Sequence, residues 1–132
     1  MEPMFLTVDE VLEIHEQQIE LYGGSHGVRD KNLLESALGV PQATFGGEFL
    51  HPTIAAMAAA YLFHITQNHP FFDGNKRTGA NAAITFLLLN DVKPTFDEDA
   101  LVTLVLGLAK SEMTKEQVIE FFEEHCMPQM SE

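Results

Sequence analysis

His69-Pro70-Phe71-Phe72-Asp73-Gly74-Asn75-Lys76-Arg77-Thr78-Gly79 is the stretch on which the reading of this chain turns. It packs an imidazole, a carboxylate, an amide, two cations and two glycines into eleven residues. Pro70 disfavours helical geometry at the residue before it, so a helix arriving at His69 stops there. Asp73 and Asn75 are residue types that open helices, and beyond them Ala80, Ala83, Ile84, Leu87 and Leu88 recur at helical spacing. The stretch predicts a helix, a tight loop and a second helix, with the loop closing over the second helix's free N–H groups. Such an end attracts anions, because the N–H groups and the helix dipole point outwards together. Lys76 and Arg77 are unfavourably placed at the positive end of that dipole, and a phosphate chain is the natural anion to offset them.

Upstream, Pro52 fits the first turn of a helix from Thr53 to Asn68, whose alanines (Ala55, Ala56, Ala58, Ala59, Ala60) make it apolar all round. Downstream, the helix from about Gly74 to Asn90 is nearly as apolar. Two such helices joined by the loop form the centre of an α-bundle. Thr7-Val8-Asp9-Glu10 matches a capping box and opens a first helix with Val11, Ile14, Gln18 and Leu21 on its stripe, ended by Gly23-Gly24. Asp30 caps a short helix through Leu38, and Pro41 to Pro52, with Gly46-Gly47 inside it, reads as an exposed loop or flap. Thr95-Phe96-Asp97-Glu98 is a further capping box, for a helix to about Ala109, and Thr114 to Gln117 caps the last helix, which frays after Glu124. No strand pattern of useful length occurs. The expectation is an all-α single domain, a bundle of about six helices over residues 1–132 with its core at about 5–125, and an active-site loop between two central helices.

The chain is long enough for one domain with a sizeable core, and 45% hydrophobic residues argue against disorder. A formal charge of −13, with 7 Lys and Arg of which two lie in the motif, argues against direct nucleic-acid binding; a basic protein partner is the electrostatic match, although excess acid more often serves only solubility. Cys126 is the only cysteine, so no internal disulfide can form, which suits a reducing compartment. The first residues lack the basic and apolar regions of a signal peptide, and the apolar run Ile54 to Phe63 is too short to span a bilayer. A cytoplasmic protein without membrane attachment is expected.

Each motif residue has a structural and a chemical reading. His69 could cap the last carbonyls of its helix, Asp73 could be an N-cap, Asn75 a turn former and Gly74 a residue with positive φ. Two cations at a helix start are not explained that way. In the chemical reading the loop N–H groups with Asn75, Lys76 and Arg77 hold phosphate oxygens. Asp73 gives one hard oxygen to a magnesium ion that otherwise keeps waters and phosphate oxygens. His69 takes the proton from an attacking hydroxyl, and Phe71 pins the loop to the core. Asn81, four residues after Arg77 on the same helix face, adds a contact or simply packs.

His69-x-Phe71-x-Asp73-Gly74-Asn75-Lys76-Arg77 resembles the signature of the Fic/Doc family at every fixed position. Tyr22-Gly23-Gly24, Gly27-Val28-Arg29-Asp30 and Pro41-Gln42-Ala43 are similar to segments of its short death-on-curing members. The resemblance spans about Phe5 to His125 and implies the Fic helical fold. It implies catalysis by His69, magnesium at Asp73, and ATP at Gly74, Asn75, Lys76, Arg77 and Asn81. Adenylyltransferases of the family generally have Gly where this chain has Lys76, and a second Arg where it has Ala80. By resemblance, Lys76 goes with ATP bound in the reversed sense and γ-phosphoryl transfer, making the chain a protein kinase. Gly74 agrees instead with the adenylyltransferase pattern. The death-on-curing members imply a toxin of a type II toxin-antitoxin system that phosphorylates a Ser or Thr of elongation factor Tu and arrests translation. The rivals are AMP transfer and a degenerate domain that only binds. The family's self-inhibiting Ser/Thr-x-x-x-Glu-Gly/Asn helix has only an incomplete counterpart at Thr44 to Phe49, so a separate antitoxin of Phd type is implied.

Overall fold

In the computed structural model, which describes residues 2–128, two central helices lie side by side: α3 (Ile54–Asn68) and α4 (Asn75–Leu89). Their contact is close because α4 presents Gly79 to α3. A methyl added there would lie 3.2 Å from both the Leu62 carbonyl oxygen and the Thr66 hydroxyl. Around this pair stand α1 (Val8–Tyr22), α2 (Lys31–Gly39), α5 (Glu98–Ala109) and α6 (Lys115–Glu124). The core is one cluster in which Met57, Tyr61, Leu62, Ile65, Phe71, Phe86, Leu87 and Phe122 are fully buried. Each such side chain contributes about 1.5–3 kcal/mol by leaving water. The all-α bundle, with six helices among the described residues, is as the sequence implied. The outer ends of the 1–132 span, Met1 and 129–132, lie outside the described residues.

The caps explain most boundaries. Thr7 and Thr114 each form a reciprocal capping box, with Glu10 and Gln117, while Asp30 accepts from the Leu33 N–H and Thr53 from the Ala56 N–H. Thr53, not Pro52, therefore starts α3. The third expected capping box does not form: Asp97 caps α5 by accepting from the Ala100 N–H, two residues after Thr95. On α1 the inward face is Val11, His15, Gln18 and Ile19, and Leu21 is turned to solvent, 71% exposed.

Four short strands were not legible as patterns. β1 (Thr44–Phe45) and β2 (Glu48–Phe49) form a two-residue hairpin within the expected flap, turned by Gly46 and Gly47, both at positive φ. β3 (Val92–Pro94) pairs with β4 (Cys126–Pro128), so the chain past Glu124 is stapled to the α4–α5 link instead of fraying. The N-terminal arm is tied down by residues far along the chain. Asn90 Nδ2 donates to the Met4 carbonyl and its Oδ1 accepts from the Met4 N–H, and the Leu6 N–H donates to the Tyr61 hydroxyl.

α6 runs antiparallel along α3, its end fixed where the Thr53 hydroxyl donates to Glu123 Oε2 at 2.9 Å. Near its start, Lys115 approaches His51, which leads into α3, and His64 on α3. His51 Nδ1 and His64 Nε2 are buried and have no hydrogen-bond partner among the described residues. Burial first, then the Lys115 charge and the neighbouring His51, push the His64 pKa down to about 4, and burial with Lys115 also lowers His51. In the folded protein both rings are held toward the neutral form, whereas in the unfolded chain they take up protons below the ordinary value of 6.5. Stability is therefore lost as pH falls through the interval between 6.5 and about 4. The thermal midpoint is expected to drop on acidification from about pH 6.5 to pH 5, and less steeply in His64→Leu. Parallel slopes for the two proteins would contradict the account.

Candidate active site

The site is made where α3 stops and α4 starts. His69 caps α3 in the left-handed conformation (φ 51, ψ 54), its N–H donating to the Ile65 carbonyl at 3.2 Å. That geometry costs a residue with a Cβ about 1–2 kcal/mol, so neighbours must hold it. They come from the segment between α1 and α2. Arg29 Nε donates to the His69 carbonyl at 2.8 Å and its Nη2 to the Asn68 carbonyl, a cation on the negative end of α3. The Arg29 and Asp30 N–H groups both donate to the Pro70 carbonyl, at 2.7 and 3.0 Å.

From beneath, the loop is locked by Asn75. Its Oδ1 accepts from the Phe71 N–H at 2.9 Å and its Nδ2 donates to the Phe71 carbonyl at 3.0 Å, both buried. Phe71 is fully buried and stacks on His15 with ring centres 3.8 Å apart and planes at 7°. His15 Nε2–H in turn donates to the Asp73 carbonyl at 2.9 Å. Phe71 thus pins the loop as its sequence position suggested.

Gly74 opens α4 with φ 77, a conformation that favours glycine, and a methyl on it would meet Ile19 Cδ1 at 3.2 Å. No side chain caps α4. Asp73, the expected capping residue, turns its carboxylate to the neighbouring loop instead, where Oδ2 accepts from the Ser25 N–H at 2.8 Å. The Ser25 N–H and then its hydroxyl, with the charges of Arg77 and His69 adding, hold the exposed Asp73 carboxyl below its ordinary pKa. The first N–H groups of α4 are left to solvent or to an anion.

A cavity of about 580 Å³ opens over this helix start, and His69, Asp73, Gly74, Asn75, Lys76 and Arg77 are among the residues that line it. Six of the seven residues assigned to the site from sequence are therefore together. For two of the seven, the side chain is engaged within the protein. The Asn75 amide is committed to Phe71, so its side chain shapes the loop and only its backbone N–H is offered to a ligand. Asn81 lies outside the lining; its Nδ2 donates to the Arg77 carbonyl at 2.8 Å, which is the packing alternative. Arg77 Nη2 donates to the Gly23 carbonyl at 3.1 Å and its guanidinium lies 5.2 Å from the Tyr22 ring centre. Lys76 is exposed and makes no ion pair among the described residues. No residue of 41–52 is among the lining, and Phe49 packs instead on Phe5, which stacks on Phe86.

No group of three or more His, Cys, Asp or Glu among the described residues could hold a metal by itself. A single ionised, exposed carboxylate beside uncapped N–H groups fits a magnesium ion shared with phosphate oxygens and water, and does not fit a protein-only metal cage.

His15, Ser25 and Arg29 build the site and were not singled out from sequence. His15 was readable in principle, since it follows Val11 by four residues on the buried face of α1. Ser25 and Arg29 act through loop contacts across 40 or more positions, which no local periodicity encodes.

The Fic/DOC family model matches residues 5–87. "Protein kinase doc" of Escherichia phage P1 is 32% identical over 115 residues, covering 87% of this chain and 90% of that protein. "Toxin Doc" of Mycolicibacterium smegmatis is 45% identical over 78 residues, 59% of this chain and 60% of that protein.

Replacing Asn75 by Ala strands the buried Phe71 N–H and carbonyl. Urea unfolding is expected to show a loss of about 1–3 kcal/mol. An unchanged midpoint would mean the loop is held from elsewhere.

Proposed function

The chain belongs to the Fic/DOC family, and from that premise we propose that it is a toxin acting as an ATP- and magnesium-dependent protein kinase on a Ser or Thr hydroxyl of a translation factor. Elongation factor Tu is the acceptor we expect, with arrest of translation as the outcome. The observation that carries the reading is the convergence of His69, Asp73, Lys76 and Arg77 around the uncapped start of α4. The names of the relatives, a protein kinase and a toxin, support it.

The residues divide the work. The first N–H groups of α4 and Lys76 hold phosphate oxygens. Arg77, already steered by Gly23 and Tyr22, supports the same charge. Asp73, kept ionised by Ser25, holds magnesium, which neutralises phosphate charge when bound. His69 is exposed at the cavity rim, and its ring makes no hydrogen bond among the described residues, so a nitrogen is available to accept a proton. His69 takes the acceptor hydroxyl's proton as its oxygen forms a bond to the γ-phosphorus, and the bond to the β–γ bridging oxygen breaks with release of ADP. Positioning and charge stabilisation supply most of the rate in such transfer.

Lys76 favours this over AMP transfer, because it brings a side chain and a charge where adenylyltransferases of the family generally keep Gly. Gly74 is the one observation on the other side, since it agrees with the adenylyltransferase pattern. The acidic surface, −13 overall, suits a basic antitoxin of Phd type as the restraining partner. A cytoplasmic setting fits such a partner and target, and no helix among the described residues is long and apolar enough to cross a membrane.

Incubation of the protein and magnesium with elongation factor Tu and ATP labelled on either the α- or the γ-phosphate separates the readings. Label is expected on the acceptor from the γ-phosphate alone, abolished by EDTA and reduced by about 10²–10⁴-fold in His69→Ala. Transfer from the α-phosphate would convert the reading to nucleotidyl transfer. Growth arrest that survives His69→Ala would leave a domain acting by binding only.

A further inference from the structure

Residues 23–30, the loop that joins α1 to α2, grip the motif at both of its ends. At the His69 end the Arg29 guanidinium donates to the His69 and Asn68 carbonyls, and the Arg29 and Asp30 N–H groups share the Pro70 carbonyl. At the Asp73 end the Ser25 N–H holds Oδ2 of the carboxylate, and the Gly23 carbonyl accepts from the Arg77 guanidinium. Gly24 leaves room for this second grip. A methyl on it would stand 3.1 Å from Asp73 Cβ and 3.2 Å from Ile19 Cδ1, and its φ of 121 is itself unfavourable for a residue with a side chain. The middle of the motif is anchored from elsewhere. Phe71 is fully buried against His15, and its N–H and carbonyl are both bonded to Asn75. The loop meets that middle through backbone contacts, at the bridge between Val28 and Phe71 and in the 3.5 Å bond from the Phe72 N–H to the Gly27 carbonyl.

Two grips separated by a fixed node act independently, because a displacement at one end is stopped at the buried ring before it reaches the other. We propose that the 23–30 loop is a two-ended template: Arg29 positions His69 for turnover, while Gly24 and Ser25 position Asp73 for binding of the metal and nucleotide. None of the three belongs to the motif. The inference rests on the phosphoryl-transfer reading above and adds to it which residues outside the motif govern which step. Arg29 acts on the imidazole through the main chain, since the two carbonyls it holds lie on either side of the His69 Cα. Without the guanidinium the left-handed conformation at φ 51 loses its support, and the ring leaves its place at the rim. A misplacement of about 1 Å costs about 10²-fold in rate, and it leaves alone the α4 N–H groups and Lys76 that hold phosphate. Gly24 and Ser25 act instead on where the carboxylate stands, and hence on affinity.

Calorimetric titration with ATP in magnesium, and steady-state phosphoryl transfer on the same preparations, read the two ends separately. Arg29→Met, at an exposed side chain, is expected to lower kcat by about 10²-fold and to leave ATP affinity within about twofold. Arg29→Lys keeps a cation at the end of α3 and is expected to recover about tenfold of that loss. Gly24→Ala is expected to weaken ATP by about tenfold and to leave kcat, at saturating magnesium and ATP, within about threefold. Ser25→Ala removes only an exposed hydroxyl and keeps the N–H; its ATP affinity is expected to fall by about two- to fivefold, and it carries the test of this end if Gly24→Ala does not fold. Matching losses of kcat and affinity at both ends would mark the loop as a general support and overturn the proposal. Values within about twofold of the unmodified protein in all four variants overturn it equally. Failure of the unmodified protein to bind ATP overturns the nucleotide reading itself, and the inference with it.

Discussion

The two hydrogen bonds between the Asn75 side chain and the backbone of Phe71 are the constraint from which the site follows. They turn the first residue of α4 into a brace for the loop that precedes it, so the loop cannot fold down and cap the helix. With Gly74 at φ 77 and Asp73 drawn off by Ser25, the usual means of satisfying a helix start are all diverted. A local sequence that could have capped its own helix is arranged to leave the N–H groups unpaired. That is an unfavourable arrangement for an isolated helix and a useful one for binding an anion.

The cost is met by packing on both sides of the loop. Phe71 stacks on His15 in the core, and Arg29 holds the carbonyls at the end of α3 from outside. The left-handed His69 belongs to the same arrangement. Its carbonyl is fixed by Arg29 while its side chain stands at the cavity rim, so the imidazole is positioned by its own backbone instead of by a hydrogen bond to its ring. Gly79 completes the frame by letting α4 approach α3 closely one turn below the site. His69 and Ser111, both at positive φ, line the cavity together with Gly74, whereas Asp91, the third such non-glycine residue among those described, lies away from it after α4.

Much of this was legible. The loop between two apolar helices, three of the caps (Thr7, Asp30 and Thr114) and the inward role of Phe71 follow from residue types at fixed local spacing. What local spacing could not reveal was how distant segments share the loop's polar groups. Asp73 looked like a cap because a short carboxylate before a helix usually is one; only the arrival of Ser25 from 48 positions away gives it other work. Asn75 looked like a ligand because its amide sits among cations, yet Phe71, four residues earlier, claims it. The short strands escaped because two or three residues cannot carry an alternating pattern, and Thr95 was passed over because Asp97, two residues on, offers a stronger acceptor at the same helix start.

The division of the molecule's charge adds a last step. An acidic chain should repel a polyphosphate, and over long distances it does. At physiological ionic strength, however, fields between exposed charges are screened beyond about 8 Å, so a phosphate in the cavity responds mainly to its immediate surroundings. Those are Lys76, Arg77 and the start of α4, which has no acidic residue in its first turn, with the single Asp73 carboxylate beside them. Net charge and site charge can therefore be opposite in sign without conflict: the acidic exterior governs which macromolecules approach, and the few cations govern what is held at the helix start. Keeping the cations few also keeps them specific, because a polyanion finds no second place on this surface where helix dipole, uncapped N–H groups and side-chain charge coincide among the described residues.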